Sequence, residues 1–266
     1  VYSLGNWEAP FGIVLVLDQF SILMVLVTSL LAFGALWYAI SEGIDKKGAH
    51  FHPLFQLQLF GLNGAFLTGD LFNLFVFFEI LLLASYSLLL HAKGEGRVKA
   101  GLHYVVINLV GSTLFLFAVG TLYGILGTLN IADLSQKVAH LSPENVSIVA
   151  SAGLLLLIVF GLKAAMFPLY FWLPNAYGKT SAPVAALFAI MTKVGIYSII
   201  RVHGTIFGQN ANELAFYYTP WVLYIGLITL VLATFGVLSS KELKTQISYL
   251  VLLSVSIILI AIGINS

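Results

Sequence analysis

The sequence has 266 residues, of which 60% are hydrophobic and 9% are charged. A soluble domain carries about 25% charged residues, so this composition excludes a solvated surface and places lipid around most of the chain. The net charge is +1 and there is no basic run, which argues against nucleic-acid binding. The absence of cysteine excludes disulfides and thiolate-ligated iron–sulfur clusters. No cofactor loop or nucleophile–base pair occurs, so neither a cofactor nor an enzymatic activity is expected.

Eight apolar stretches predict a polytopic bundle of transmembrane helices. About 20 residues are needed to cross a core of ~30 Å at ~1.5 Å per residue. The second stretch is diluted by Gln56, Gln58 and Asn63, but one helix over residues 53–90 would span about 57 Å. The chain must therefore turn, and Thr68-Gly69-Asp70 supplies a turn and a helix cap. The predicted spans are residues 11–40, 53–69, 71–90, 102–126, 146–172, 183–202, 217–238 and 247–264.

The fifth span is predicted to be broken. Pro168 lies inside it and Pro174 follows soon after, and a proline removes a backbone donor and clashes with the preceding turn. Broken helices are typical of transporter cores, although kinks are common in any membrane bundle. Residues 130–141, between the fourth and fifth spans, read as a short amphipathic helix on the outer surface.

The lysines and arginines predict the orientation. With eight spans, loops on one face hold eight of them and the opposite face holds only Lys137 and Arg201. By the positive-inside rule the richer face is cytoplasmic, so Val1 lies outside, and we expect a prokaryotic cell membrane. The eight residues on the richer face are Lys46, Lys47, Lys93, Arg97, Lys99, Lys179, Lys241 and Lys244.

Three ionisable residues lie deep inside predicted spans: Glu79, Lys163 and Lys193. Glu79 is ~13 Å from Asp70 along its helix and Lys193 is ~15 Å from Pro183, so both lie near the midplane. Each charge costs ~2.5–3.5 kcal/mol on insertion, and the least costly arrangement pairs the acid with one lysine. The second lysine is then left over and can lose its proton, as a proton relay requires. The alternative is a buried ion pair that only fixes helix packing.

Other residues are secondary candidates. Ala182, Ala186 and Ala189 precede Lys193 on one helical stripe, where small side chains admit a neighbouring helix or leave room for water. Three further ionisable groups belong to the secondary set. Asp70 is foremost a capping and turn residue, Asp18 lies in the outer part of the first span, and His103 lies near the cytoplasmic end of the fourth span, where a proton-loading group or an ordinary interfacial histidine is expected.

These three charges stand in motifs that resemble a known family. Residues 68–79 (TGDLFNLFVFFE), continuing through 83–86 (LASY), look like the glutamate-bearing span of the antiporter-like membrane subunits. That family is shared by Mrp-type multisubunit antiporters, respiratory complex I and membrane-bound hydrogenases. Residues 161–165 (GLKAA) with 171–174 (FWLP) resemble its broken helix, and residues 192–197 (TKVGIY) resemble its next lysine-bearing helix. The resemblance implies that Glu79, Lys163 and Lys193 carry protons.

Within the family the chain looks most like the D subunits of Mrp antiporters. Residues 5–13 (GNWEAPFGI) fit that pattern, and Ala176-Tyr177 stands where complex I members usually have Ala-His. The resemblance implies that the chain is a fragment of a longer parent, of which it would supply the third to tenth spans. Residues 53–202 would form the first five-helix repeat, and residues 215–266 the start of an inverted second repeat. The eighth span, an ordinary apolar run after residue 250, departs from the family pattern.

The function expected from these residues is that of a subunit of a monovalent cation/proton antiporter, with protons passing along the buried Glu/Lys relay. Expected partners are the other subunits of a heteromeric membrane complex, together with protons, monovalent cations and the lipid bilayer. One alternative is the proton-pumping arm of an NADH- or hydrogenase-linked redox complex. Another alternative, of a different class, is a non-transporting membrane scaffold whose buried charges specify assembly.

Overall fold

Helices follow one another in the order that hydropathy predicts. The computed structural model describes residues 1–91 and 97–264, apart from the side chain of Arg97. In chain order the helices are α1 (Gln19–Ser41), α2 (Phe51–Leu67), α3 (Leu71–Leu90), α4 (Arg97–Leu126), α5 (Ile131–Ala139), α6 (Pro143–Ala164), α7 (Trp172–Lys179), α8 (Ala182–Ser198), α9 (Gly204–Ile206), α10 (Thr219–Ser239) and α11 (Leu243–Ile264).

The predicted all-α transmembrane bundle is confirmed. Within the described residues, seven helices are long and apolar enough to cross a membrane. Helix α2 corresponds to the remaining predicted span; its 17 residues extend ~25 Å, and it packs against α3 with Phe55 and Leu62 fully buried. Helix α1 begins at Gln19, later than predicted, because the preceding residues form a small hairpin and Asp18 caps the helix.

The N-terminal hairpin lies against the turn between α2 and α3. Strand β1 (Tyr2–Ser3) pairs antiparallel with β2 (Val14–Leu15), and the amide of Gly69 donates to the carbonyl of Val14 over 2.9 Å. The predicted turn is present, and Asp70 caps α3 by accepting from the amide of Asn73 over 2.8 Å. The hairpin, this turn and the start of α5 therefore meet at the end of the bundle predicted to face outward.

The fifth predicted span is interrupted, as expected. Helix α6 ends at Ala164, Ala165 adopts a left-handed conformation with φ of 59°, and helical structure resumes only at Trp172. A second irregularity lies after α8, where residues Ile199–His203 form a π-helical turn. Such turns are frequent at functional sites. Both interruptions lie on helices that carry one of the predicted lysines, Lys163 on α6 and Lys193 on α8.

Helix α8 passes very close to the end of α6. A Cβ added to Gly195 would lie 2.5 Å from the backbone nitrogen of Ala164, so only glycine allows this approach. The contact holds α8 beside the break that follows Lys163. Two sequence features cannot be placed: Lys93 and the loop 94–96 lie outside the described residues.

Candidate functional site

The break between α6 and α7 leaves backbone groups that other elements satisfy. The indole of Trp172 donates to the carbonyl of Leu162 over 3.2 Å, and the amide of Phe167 donates to the hydroxyl of Thr229 on α10 over 3.0 Å. Unsatisfied backbone groups are costly in a membrane, so non-helical chain is tolerated there only where it is buried in protein. The break is thus stabilised by specific hydrogen bonds, and it leaves Lys163 in the last turn of α6.

Lys163 is buried, with 6% of its surface exposed. Its ammonium donates to the side-chain oxygen of Asn108 on α4 over 3.2 Å and lies 5.7 Å from the centre of the Phe78 ring. Its position at the C-terminal end of α6 favours a positive charge, because the helix dipole is negative there. The residue has a defined amide partner and lies in the interior of the bundle.

Glu79, on α3, reaches the same stripe of α4 through Ser112. The Ser112 hydroxyl is within hydrogen-bond distance of both the Glu79 carboxylate and the backbone carbonyl of Asn108, 3.0 Å away in the second case. Ser112 and Asn108 are four residues apart and therefore share one face of α4. Glu79, Ser112, Asn108 and Lys163 therefore lie in one row, in which Ser112 contacts the backbone carbonyl of Asn108 and Lys163 contacts its side chain. We call it the α4 polar row.

The expected direct pairing of Glu79 with a lysine is not observed. The ion pairs in the described part of the chain are His52–Asp45, Lys137–Asp133 and Arg201–Asp18, and none involves Glu79. Uncharged side chains of α4 stand between acid and amine instead. In this arrangement each charge keeps its own polar partner, which offsets part of the free-energy cost of removing it from water.

Space for water exists next to Lys163. A cavity of about 10 Å³, enough for roughly one water molecule, is lined by Asn108, Lys163, Trp172 and Val194 among others. On the side toward the N-terminal hairpin, the rings of Phe78, Phe115 and Phe160 pack edge to face, with centroids 5.5–6.1 Å apart. The α4 polar row is therefore closed toward that end by aromatic side chains.

Lys193 lies apart from the α4 polar row. It is half-buried, and its ammonium donates to the hydroxyl of Ser254 on α11. The predicted alanine stripe (Ala182, Ala186, Ala189) lines a cavity of about 250 Å³ between α8 and α11, with Lys244 at its wall. The stripe thus leaves open space, one of the two outcomes expected for it. Lys193 faces α11, whereas Lys163 faces α4.

Asp18 and Asp70 both cap helices. Asp18 accepts from the amide of Ser21 over 2.9 Å, and Arg201 donates two hydrogen bonds to it, over 2.6 and 2.8 Å. The guanidinium holds the pKa of the Asp18 carboxyl well below its usual range. Burial instead raises the pKa of Asp70. Asp70 therefore has the capping role expected of it, and Asp18 is committed to an ion pair.

His103 is exposed and lies in a surface groove with Lys99 and Lys179, more than one helical turn along α4 from Asn108. Sequence reasoning overlooked the uncharged members of the site, Asn108, Ser112 and Ser254. A signal for two of them was present: Tyr104, Asn108 and Ser112 repeat at a spacing of four, which marks one polar stripe along an otherwise apolar span.

Fold and site together define a polytopic helical membrane protein whose broken helix carries a buried amine, with a half-buried acid on the same polar row. A family described as NADH:quinone oxidoreductase/Mrp antiporter, TM, matches residues 68–266. The chain belongs to this family. The resemblance drawn from the three charged motifs is confirmed.

Individual relatives carry antiporter names. The chain is 51% identical to a probable D subunit of a K(+)/H(+) antiporter from Rhizobium meliloti, over 100% of this chain and 49% of that protein. It is 41% identical to the D subunit of a Na(+)/H(+) antiporter from Alkalihalophilus pseudofirmus, over 99% of this chain and 53% of that protein. In the solved Mrp complex from Dietzia sp., one chain superposes with a TM-score of 0.89 at 33% identity, covering 99% of this chain and 48% of that chain. The chain spans about half the length of the relatives it matches.

Proposed function

We propose that the protein is a subunit of a multisubunit monovalent cation/proton antiporter and that the α4 polar row carries its protons. The observation that supports this most strongly is the row in which Ser112 contacts Glu79 and the Asn108 backbone carbonyl, while the Asn108 side-chain oxygen accepts from Lys163. A scaffold needs no acid and amine that each keep a polar partner on the same helix face. The names of the relatives, which describe transporters and not enzymes, point the same way.

The proposed cycle depends on which group holds the charge. A proton arriving from the lysine-rich end is taken up by the neutral amine of Lys163, and the resulting ammonium strengthens its hydrogen bond to the Asn108 side chain; loss of the proton weakens that bond. The Ser112 hydroxyl donates to Glu79 while that carboxylate is charged and to the backbone carbonyl of Asn108 when Glu79 is protonated. A membrane potential of 100 mV contributes ~2.3 kcal/mol per charge moved, comparable with the cost of inserting the charge, so field and pairing compete. Lys193 passes charge onward on the α11 side.

Replacement of Glu79 by Gln in the complete antiporter complex tests the relay. Gln keeps an acceptor for Ser112 but cannot hold a charge, so we expect Na⁺/H⁺ or K⁺/H⁺ exchange to fall at least about tenfold, or ~1.4 kcal/mol in the barrier. The measurement is dequenching of a pH-sensitive dye in everted vesicles. Glu144→Gln is the matched control, since Glu144 is exposed in the first turn of α6. Equal exchange in the two variants would contradict the proposal.

We further propose a prokaryotic cell membrane as the location, with Val1 outside. In this arrangement residues 53–202 form the first five-helix repeat and residues 215–266 begin the second. The 266 residues contain no cysteine, so a cysteine introduced among them reports orientation when its labelling is compared with that of the unsubstituted complex. A cysteine at Glu144 should react with a membrane-impermeant maleimide in intact cells, and one at Lys46 should react only after permeabilisation. The reverse labelling pattern would overturn the orientation.

A redox-linked proton pump is the second candidate, because the matching family includes NADH:quinone oxidoreductase subunits. Such a membrane arm would pump only with an electron donor present. Exchange driven by a sodium or potassium gradient alone, in vesicles without an electron donor, would favour the antiporter.

The third alternative is a non-transporting scaffold. It predicts that a triple neutral substitution of Glu79, Lys163 and Lys193 leaves transport intact while altering assembly.

A further inference from the structure

A surface groove between α4 and α7 stands outside the proposed relay. It has a volume of about 800 Å³ and opens at the lysine-rich end of the bundle. Its described lining contains two lysines, a histidine and an amide but no carboxylate. Apolar side chains complete the lining, so charged and apolar surface meet in one groove. The residues that decide its chemistry are Lys99, His103, Val106, Phe171, Asn175 and Lys179.

The α4 wall changes from charged to apolar with depth. Lys99, His103 and Val106 are spaced four and three residues apart, so they lie one above another on the same helix face. Val106 lies ~10 Å farther along the axis than Lys99. All three side chains are exposed in the described chain. The wall therefore presents an ammonium group at the rim, an imidazole one turn in, and an aliphatic side chain below.

The α7 wall repeats this order in the opposite chain direction. Lys179, Asn175 and Phe171 are spaced four and four residues apart and are also exposed. The first residue of α7, Trp172, packs on Tyr104 of α4, with ring centroids 5.1 Å apart. That contact brings the start of α7 beside the second turn of α4. Each wall therefore carries a lysine at one end, a polar side chain in the middle and an apolar side chain at the other end, and both walls line the same groove.

We propose that this groove binds an anionic phospholipid. The phosphate lies between the ammonium groups of Lys99 and Lys179, the glycerol and ester groups contact His103 and Asn175, and an acyl chain covers Phe171. Basic pockets between helices at the membrane surface are suited to anionic head groups. A free phosphate ion would leave the apolar base uncovered, and a zwitterionic lipid would leave the lysines without a net negative partner. An anionic phospholipid uses both halves of the groove.

The test uses the purified complex in detergent, titrated with fluorescent phosphatidylglycerol and, separately, with fluorescent phosphatidylcholine. We expect tighter binding of phosphatidylglycerol, and about tenfold weaker binding of it in the Lys99→Gln/Lys179→Gln double variant. Lys46→Gln/Lys47→Gln is the matched control, because it removes the same charge from exposed lysines at the same end of the bundle. The control should bind phosphatidylglycerol like the unmodified protein.

A third variant separates lipid from free anion. Phe171→Ser should weaken phosphatidylglycerol binding several-fold, and millimolar inorganic phosphate should not compete. Three results would overturn the proposal: an equal loss in the Lys46/Lys47 control, effective competition by inorganic phosphate, or equal affinity for the two lipids. Cross-linking of a photoreactive group at residue 103 to a protein subunit would also overturn it. None of these readouts measures ion exchange, so they fail or succeed independently of the proposed relay.

Discussion

Lys163 and Lys193 lie in the same bundle but in different surroundings. Lys163 is enclosed, contacts Asn108 and belongs to a row of polar groups that ends at the carboxylate of Glu79. Lys193 is half-buried, contacts a single hydroxyl, and stands one turn beyond an alanine-lined cavity of about 250 Å³. An amine in a membrane can thus be supported by a fixed network or by nearby space for water. A fixed network suits a group that switches between two protonation states, and nearby space suits a group that exchanges protons with water.

Helix α8 separates the two surroundings. Met191 and Val194 line the small cavity beside Lys163, while Lys193 between them in sequence faces α11. Within the described residues, no hydrogen bond joins the two lysines. Charge passing between them would have to cross or go round α8, which the close contact of Gly195 with α6 holds in place. The two sites are therefore expected to respond differently to equivalent substitutions.

The largest expected effect is a difference between Lys163→Gln and Lys193→Gln. Gln at residue 163 leaves the carboxylate of Glu79 without a balancing charge in the bundle, so exchange should fall at least about a hundredfold, or ~2.7 kcal/mol. Gln at residue 193 can still bond Ser254 and borders a cavity, so the loss should be nearer tenfold. Exchange rates in everted vesicles, normalised to subunit content, decide this. Equal losses would show that the two sites act as one unit.

The bridging side chains of α4 should come next in size. Asn108→Leu removes the partner of Lys163 and should reduce exchange about tenfold, whereas Ser112→Ala interrupts the row but leaves Asn108 in place, with a loss nearer fivefold. Ser151→Ala is the control, because Ser151 is exposed and bonds only to its own helix, over 2.8 Å. If both α4 variants exchange normally, the row is not the proton path and a direct Glu79–Lys163 contact must form during the cycle.

Hydropathy was enough to predict most of the helices, and the cost of burying a charge drew attention to Lys163, which is buried. An apolar run of 20 residues has few alternatives in a bilayer, so Leu71–Leu90 matches its predicted span end to end. The turn at residues 68–70 and the interruption near Pro168 followed from residue chemistry alone. The late start of α1 was not predicted, because the residues of the hairpin are as apolar as the first residues of a transmembrane span.

Side-chain partners were less accessible to the same reasoning. Counting charges predicted a contact between Glu79 and a lysine. The rotation of each helix about its axis decides which side chains meet, however, and α4 places Asn108 and Ser112 between Glu79 and Lys163. Uncharged polar residues are common in membrane helices, so their presence alone does not mark a site. The spacing of four from Tyr104 to Ser112 was the only indication. Likewise, no local pattern could show that Lys193 faces α11 and not α4.

A smaller effect is expected at the α8–α11 site from Ser254→Ala. The hydroxyl is the one polar side chain that Lys193 contacts in the described structure, but water from the adjacent cavity can replace it. Exchange should fall about two- to threefold at most. The Ser256→Ala variant is a suitable comparison, because Ser256 bonds to a carbonyl of its own helix. A loss as large as that of Asn108→Leu would show that Lys193, too, depends on a fixed network and would end the distinction drawn above.

The smallest expected effect concerns the π-helical turn that follows α8, where Arg201 forms an ion pair with Asp18. Tyr197 joins this contact by accepting from Arg201 over 3.0 Å and donating to the carbonyl of Phe66 over 2.6 Å. Asp18→Asn keeps the helix cap but removes the ion pair, which is partly exposed and screened, so about 0.5–1 kcal/mol of stability should be lost. Asp18→Ala should lose about 1 kcal/mol more, since it also removes the cap. Thermal unfolding of the detergent-solubilised complex measures both.

The stability contributed by the Asp18–Arg201 ion pair should depend on pH. Arg201 depresses the pKa of Asp18 in the folded protein below the unfolded value of about 3.9. The ion pair therefore contributes its full stability above that value, and the contribution is lost as the pH falls through the depressed pKa. The gap between the unmodified protein and Asp18→Asn should be constant from pH 8 to about pH 5 and close only in stronger acid. A gap that closes near neutral pH would mean that a group other than Asp18 holds α8 against α1, and that the position of Lys193 is set elsewhere.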